Sequence, residues 1–354
     1  ISPRPAAGVA AALGEVDALM ARVQAALPGV ALHAGGTNPW HTREELGLQV
    51  DRPRYRVMQA HFRALGPAGT RMMRQTAALQ VSLDLGGGEA AAERWRVLNL
   101  AGPALSAVFA NSPRLEGRET DLASTRSWIW QGADPTRTGF DMAQVGAPGE
   151  EAAAYTAYAL AATAIPLPRP GLLPAPADGT TLAAWIAEEG PRPDDEDTVH
   201  HLSTLFPPVR PRLGPGTAGG NPSGPAVAHL EVRYLDALPR RWAEVAVATL
   251  ATLAYVPRAR GEALALLERA PRGLPAWAAA AEHALRDDGL AAVALALMDV
   301  ARRGMAELPA GYLSPSTLAL TDRYLERFTR ARRAPADDEL ERGRAHPEDP
   351  LPWT

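Results

Sequence analysis

The chain has 354 residues, a net charge of -4 and near-average apolar and charged fractions, enough to bury a large core as one big domain or two smaller ones. It contains neither cysteine nor lysine, which excludes thiol nucleophiles, thiolate metal sites, disulfides, Schiff-base chemistry and the lysine of a P-loop; any phosphate must be held by arginine, metal or backbone. The scattered arginines form no basic stripe and no apolar run reaches bilayer length, so the expectation is a cytoplasmic protein with no nucleic-acid or membrane partner.

In chain order, Val9, Leu13, Val16, Leu19, Val23 and Leu27 recur at helical spacing and predict an amphipathic helix. GVALHAGG reads as a short strand running into a Gly/Asn/Pro turn at 35–39, followed by a helix from about Arg54 to Leu65. Leu79, Val81, Leu83 and Leu85 alternate with Gln80, Ser82 and Asp84, the period of a strand with one buried face. An Ala-rich helix then spans about Glu89 to Ala110, stopped by Asn111-Ser112-Pro113.

Residues 114–150 read as an ordered loop region carrying Arg126, Trp128 and Trp130 at alternate positions. YTAYALAATAI looks strand-like, and short helices follow around Leu182 to Glu189 and over EDTVHHLSTLF. The glycine-rich stretch 213–226 can bury almost nothing and predicts a flexible insertion. In LEVRYL, Leu230, Val232 and Tyr234 oppose Glu231 and Arg233, a second half-buried strand. The chain from about Leu238 to Arg330 is nearly all helical, and the tail past Arg333 is expected to be loose. Strands set among helices, with a helical C-terminal third, indicate an α+β fold.

Glu231 and Arg233 stand two apart on one strand face, where a metal-bound carboxylate and a phosphate-binding guanidinium could meet one triphosphate. The alternative is a surface ion pair, common and worth little. FPPVRPR, just upstream, favours the first reading by adding Arg210 and Arg212. Gln80, Ser82 and Asp84 fit a binding floor or an ordinary wet face. Arg126 with the two tryptophans fits a bidentate clamp on a substrate carboxylate or a cation–π staple. His200 and His201 are adjacent, cannot chelate one ion from a helix, and are read as structural; the acidic run 194–197 reads as a helix cap. There is no HExxH, GxSxG or Gly-Lys-Ser/Thr motif.

Five ordered stretches, RYRVMQAHFRALGPAGTRMM (54–73), TAALQVSLDLG (76–86), RSWIWQGADPTRTG (126–139), HLSTLFPPVRPR (201–212) and LEVRYLDALP (230–239), resemble glutamate-cysteine ligase family 2, most of all its bacterial ergothioneine branch. The resemblance implies a glutamine-synthetase-like fold, a curved antiparallel sheet whose concave face holds ATP, magnesium and glutamate. It implies ATP-dependent phosphorylation of the γ-carboxylate of glutamate and attack by the amine of cysteine, giving γ-glutamylcysteine. That chemistry needs no thiol or amine nucleophile on the protein.

By motif, Glu231 would be a catalytic residue and magnesium ligand, Arg233 a catalytic residue reaching the ATP phosphates with Arg210, and Gln80, Arg126 and Trp130 would bind glutamate. Ser82 stands where relatives often carry Asn and is left out of the set. Residues 1–333 would form one carboxylate-amine ligase domain and 334–354 a loose tail. In relatives, strands bearing clustered glutamates for magnesium precede the segment resembling ISPRPAAGV, so the expectation is an N-terminally incomplete domain with little activity as written, unless Asp84, Asp134 or Asp236 replaces those ligands. The rival readings are a non-catalytic remnant that binds nucleotide or a partner, and a glutamate ligase for another amine.

Overall fold

The two alternating segments become antiparallel strands of one sheet, Ala78–Asp84 at one edge and Val227–Asp236 in the centre, with Val209–Gly214 along the other side. The computed structural model describes residues 1–167, 179–188, 192–214 and 227–345. Val81, Leu83, Val209, Leu230 and Val232 turn one face of the sheet into the main core. Three helices, Gly88–Leu100, Gly102–Val108 and Arg240–Tyr255, pack against this sheet. Gly102 is required where Gly102–Val108 meets the helix Gly273–His283: a Cβ there would lie 2.5 Å from the buried Trp277 ring.

The register decides what the polar face presents. Ser82 and Arg210 both oppose Glu231, and Asp84 and Arg212 both oppose His229. Between Leu79 and Val81 the register shifts, because Leu79 pairs with Leu235 while Val81 pairs with Val232. Gln80 therefore faces two residues, Arg233 and Tyr234, and the central strand bulges there. The extra residue reverses the alternation that follows, so Asp236 pairs with Ala78 on the face of Gln80.

The architecture is α+β, as expected, and the first amphipathic helix (Val9–Ala26), Pro53–Leu65 and the helical C-terminal third form where the periodicity placed them. Several elements differ. GVALHAGG forms no strand; His33 within it is a lone bridge residue, and Thr37 just beyond it bridges Thr76. The helix expected over 89–110 breaks at Ala101, since Pro103 has no N–H to give and is accommodated only by starting a new helix. YTAYALAATAI lies largely in a helix, Glu151–Ala161, because its alanines favour helix over strand.

The loop expected at 114–150 contains the helix Thr125–Gln131, with Ser124 capping it by accepting from the N–H of Ser127. The tail is not loose over its first part: Pro335–Ala345 is a helix whose Ala336 N–H donates to the carbonyl of Ala110 and whose Arg344 pairs with Glu119. The insertion expected at 213–226 lies outside the described residues from 215 to 226, as does the tail beyond 345.

Candidate active site

The polar face of the sheet gathers charge around Glu231. Arg210 reaches it across the strands, Nε at 2.9 Å and Nη2 at 2.7 Å from Oε2. Arg233 donates from Nη1 to the same Oε2 at 2.9 Å and to Gln80 Oε1 at 3.3 Å. Among the described residues no partner is bonded to Glu231 Oε1. The expectation that Gln80, Glu231 and Arg233 share one face of one sheet is therefore met.

Burial pushes the Glu231 carboxyl up, but the charges of Arg233 and Arg210 outweigh it and hold it below the ordinary carboxylate value. Burial and the neighbouring Arg233 lower Arg210 to about 10, still charged at neutral pH. Arg54, half-buried and bonded to the hydroxyl and carbonyl of Ser203, and Arg212 add further positive field nearby. Arginines outnumber the one carboxylate, which suits a polyanion.

The wall beside this cluster is aromatic. Arg233 lies 5.7 Å from the Trp130 ring and 5.6 Å from the Phe206 ring, and the two rings meet edge to face at 5.7 Å. Arg126, Trp130, Phe206, Pro207, Pro208 and Arg233 line a narrow crevice here. Because 125–131 is helical, Arg126 and Trp130 are one turn apart on one face, while Trp128, expected alongside them, turns away and is 45% exposed.

Arg126 is not presented as a two-pronged clamp. It is buried, and its Nη1 and Nη2 donate to the carbonyls of Tyr234 and Arg233, at 3.1 and 2.6 Å. These are the two residues of the central strand that the bulge sets opposite Gln80. Arg126 also sits 5.6 Å from the Trp130 ring, and its Nε has no hydrogen-bond partner among the described residues.

Sequence reasoning overlooked the group behind Arg126. Asp236 is 2% exposed; its Oδ2 accepts from the Asn111 N–H at 2.8 Å and the Ser112 hydroxyl at 2.7 Å, and its Oδ1 from the Ser124 hydroxyl at 3.0 Å, with Arg126 Nη1 at 3.7 Å. Burial raises its carboxyl above the ordinary value, opposed by Arg126 and these donors. The signal was the acid closing LEVRYLD, read there as a spare metal ligand.

No group of three or more His, Asp or Glu side chains able to hold a metal ion is present among the described residues. Asp84 is exposed, Asp134 is buried as a helix cap 2.7 Å from His61, and Asp236 is committed as above. Glu231 alone can give a magnesium ion one carboxylate oxygen, and an ion so held keeps mostly water. His200 and His201 are buried and held neutral, their rings lowered to about 4 by burial and nearby arginine charge, as fits a structural role. The capping box of Asp194 and Asp197 accounts for the acidic run.

Residues 1–333 match the family model described as glutamate-cysteine ligase family 2. The chain is similar to a glutamate–cysteine ligase EgtA of Mycolicibacterium smegmatis, 33% identical over 94% of this chain and 72% of that one. It is similar to the EgtA of Mycobacterium tuberculosis strain CDC 1551, 34% identical over 86% of this chain and 67% of that one. A chloroplastic glutamate–cysteine ligase of Brassica juncea is 30% identical over 60% of this chain and 41% of its own length.

Proposed function

The chain belongs to glutamate-cysteine ligase family 2, and from that premise we propose that it joins glutamate to cysteine at the expense of ATP, making γ-glutamylcysteine for ergothioneine synthesis. The observation that carries this reading at the level of the site is the single carboxylate, Glu231, held between Arg210 and Arg233 on the polar face of the sheet. That face is the substrate face of a glutamine-synthetase-like fold. MgATP is a substrate here, and magnesium enters with it.

The γ-carboxylate of glutamate attacks the terminal phosphorus, ADP leaves, and the amine of cysteine displaces phosphate from the acyl phosphate. The protein's part is charge and placement. Arg233 and Arg210 offset the negative charge of the triphosphate as it shifts toward the leaving oxygen. Glu231 keeps the two guanidiniums from repelling one another apart and offers its second oxygen to the nucleotide's magnesium. Gln80 adds an amide to the floor, and Trp130 walls the glutamate crevice. Arg126 lends that crevice a buried positive charge and one donor, Nε, in place of a bidentate grip.

The test is formation of ADP with glutamate present, with the intermediate trapped by hydroxylamine as the γ-hydroxamate and cysteine giving the dipeptide. Hydroxamate formed at equal rates with cysteine and unrelated amines as competing acceptors would point to another amine. No glutamate-dependent ADP at all would leave a nucleotide- or partner-binding remnant.

A further inference from the structure

Arg126 could not be buried where it is without an opposite charge, because a desolvated guanidinium is strongly disfavoured unless it is paired and its donors are used. Asp236 supplies that charge from the far side of the bulge, and it is itself fixed by three donors from two other segments, the turn at Asn111-Ser112 and the helix cap Ser124. Ser112 Oγ also accepts the backbone N–H of Arg126 at 3.1 Å, and Ser124 Oγ that of Ser127 at 3.1 Å. The packing leaves no slack: a Cβ on Gly36 would lie 2.6 Å from Asp236 Cγ.

From this chain of contacts we infer that Asp236 is the positioning residue of the nucleotide site, acting through Arg126 on Arg233. Asp236 and the two serines fix the Arg126 guanidinium. Arg126 grips the carbonyls of Arg233 and Tyr234 and so holds the bulge that aims the Arg233 side chain. Trp130, close to both guanidiniums, closes the same unit from the side. Bulges beside functional sites serve to re-aim a side chain, and this one is locked by an ion pair. The inference rests on the proposed function for the statement that Arg233 meets ATP.

The experiment is calorimetric binding of MgATP to the protein and to Asp236→Asn, Arg126→Gln and the double variant, with thermal unfolding on the same samples. If the two residues act as one unit, each single variant that is folded binds MgATP at least about tenfold more weakly and the double is no weaker than the poorer single. Ser112→Ala, which removes one donor to Asp236 and the acceptor of the Arg126 N–H, loses about three- to tenfold and supplies the result should Asp236→Asn not fold. Multiplying losses in the double variant, or wild-type affinity in folded Asp236→Asn or Ser112→Ala with only a lowered melting temperature, would overturn the inference alone. Absence of MgATP binding by the unaltered protein would overturn the inference and the nucleotide reading together.

Discussion

Arg210 and Glu231 stand directly opposite each other on adjacent antiparallel strands, and the guanidinium closes on Oε2 through two of its nitrogens. The carboxylate therefore has a structural duty even before any substrate arrives: it separates the buried Arg210 from the partly buried Arg233, which would otherwise repel.

Glu231→Gln is the sharpest test of that duty. The amide keeps the shape but leaves Arg210 and Arg233 as uncompensated neighbours, and it is a poor magnesium ligand. Ligation is expected to fall by a factor of 100 or more, and stability by about 1 to 3 kcal/mol. Steady-state rates and urea unfolding of the same preparation check both numbers.

Arg126→Lys retains the charge but not the fork that spans two carbonyls. A lysine can satisfy one of them at a time and pairs less well with Asp236, so a loss of about 2 to 4 kcal/mol in stability is expected, with at least tenfold lower kcat/KM for glutamate. A variant as stable and active as the wild type would show that neither the fork nor the bulge grip matters.

Acid sensitivity should come from His200 and His201. Their rings protonate near 4 in the folded protein against an ordinary 6.5, so the unfolded chain binds protons first and stability, complete above about pH 6.5, is lost as pH falls from 6.5 to 4. Each ring should account for about 1 to 2 kcal/mol. His201→Gln, which can still donate to the carbonyl of Ala159, should flatten the fall of melting temperature between those pH values.

Glu339, on the C-terminal helix, has the opposite sign. Burial, with the nearby Asp236 charge, raises its carboxyl to about 8, so the folded protein keeps this proton after the unfolded chain has released it and stability declines from about pH 4.5 to 8. Glu339→Gln removes the titration. The variant should match the wild type near pH 4.5 and exceed it by about 2 to 3 kcal/mol at pH 9, measured by urea unfolding at both values. An equal pH dependence in the two proteins would mean the carboxyl is solvated.

The polar face was legible because period-two alternation over 79–85 and 230–234 fixes sides without knowledge of pairing. The bulge was not, since an extra residue in a strand leaves no mark on the pattern before it; hence Asp236 was assigned no place beside Arg126. The helix Thr125–Gln131 was hidden for another reason: seven residues are two turns, and Arg-x-Trp-x-Trp fits alternation as well as it fits i, i+4. Ser124 was the available clue, as an N-cap two residues before Arg126. The C-terminal helix had its own signals, Pro335 at its start, Asp337 and Asp338 in the first turn, and Arg342 and Arg344 in the last.

The grip of Arg126 on Arg233 and Tyr234 joins residues 107 and 108 positions apart in the chain. Closing a contact of that span costs loop entropy that only the collapsed helices and registered strands repay, so the seam that shapes the site is expected to seal late in folding, with low φ-values at Arg126 as the check. Late contacts are weakly formed in the transition state, and loosening them speeds unfolding while leaving the folding rate nearly unchanged. The working geometry thus doubles as the latch that keeps the folded chain from opening, and damage at this seam would shorten its lifetime by the same factor as it lowers the folding equilibrium constant.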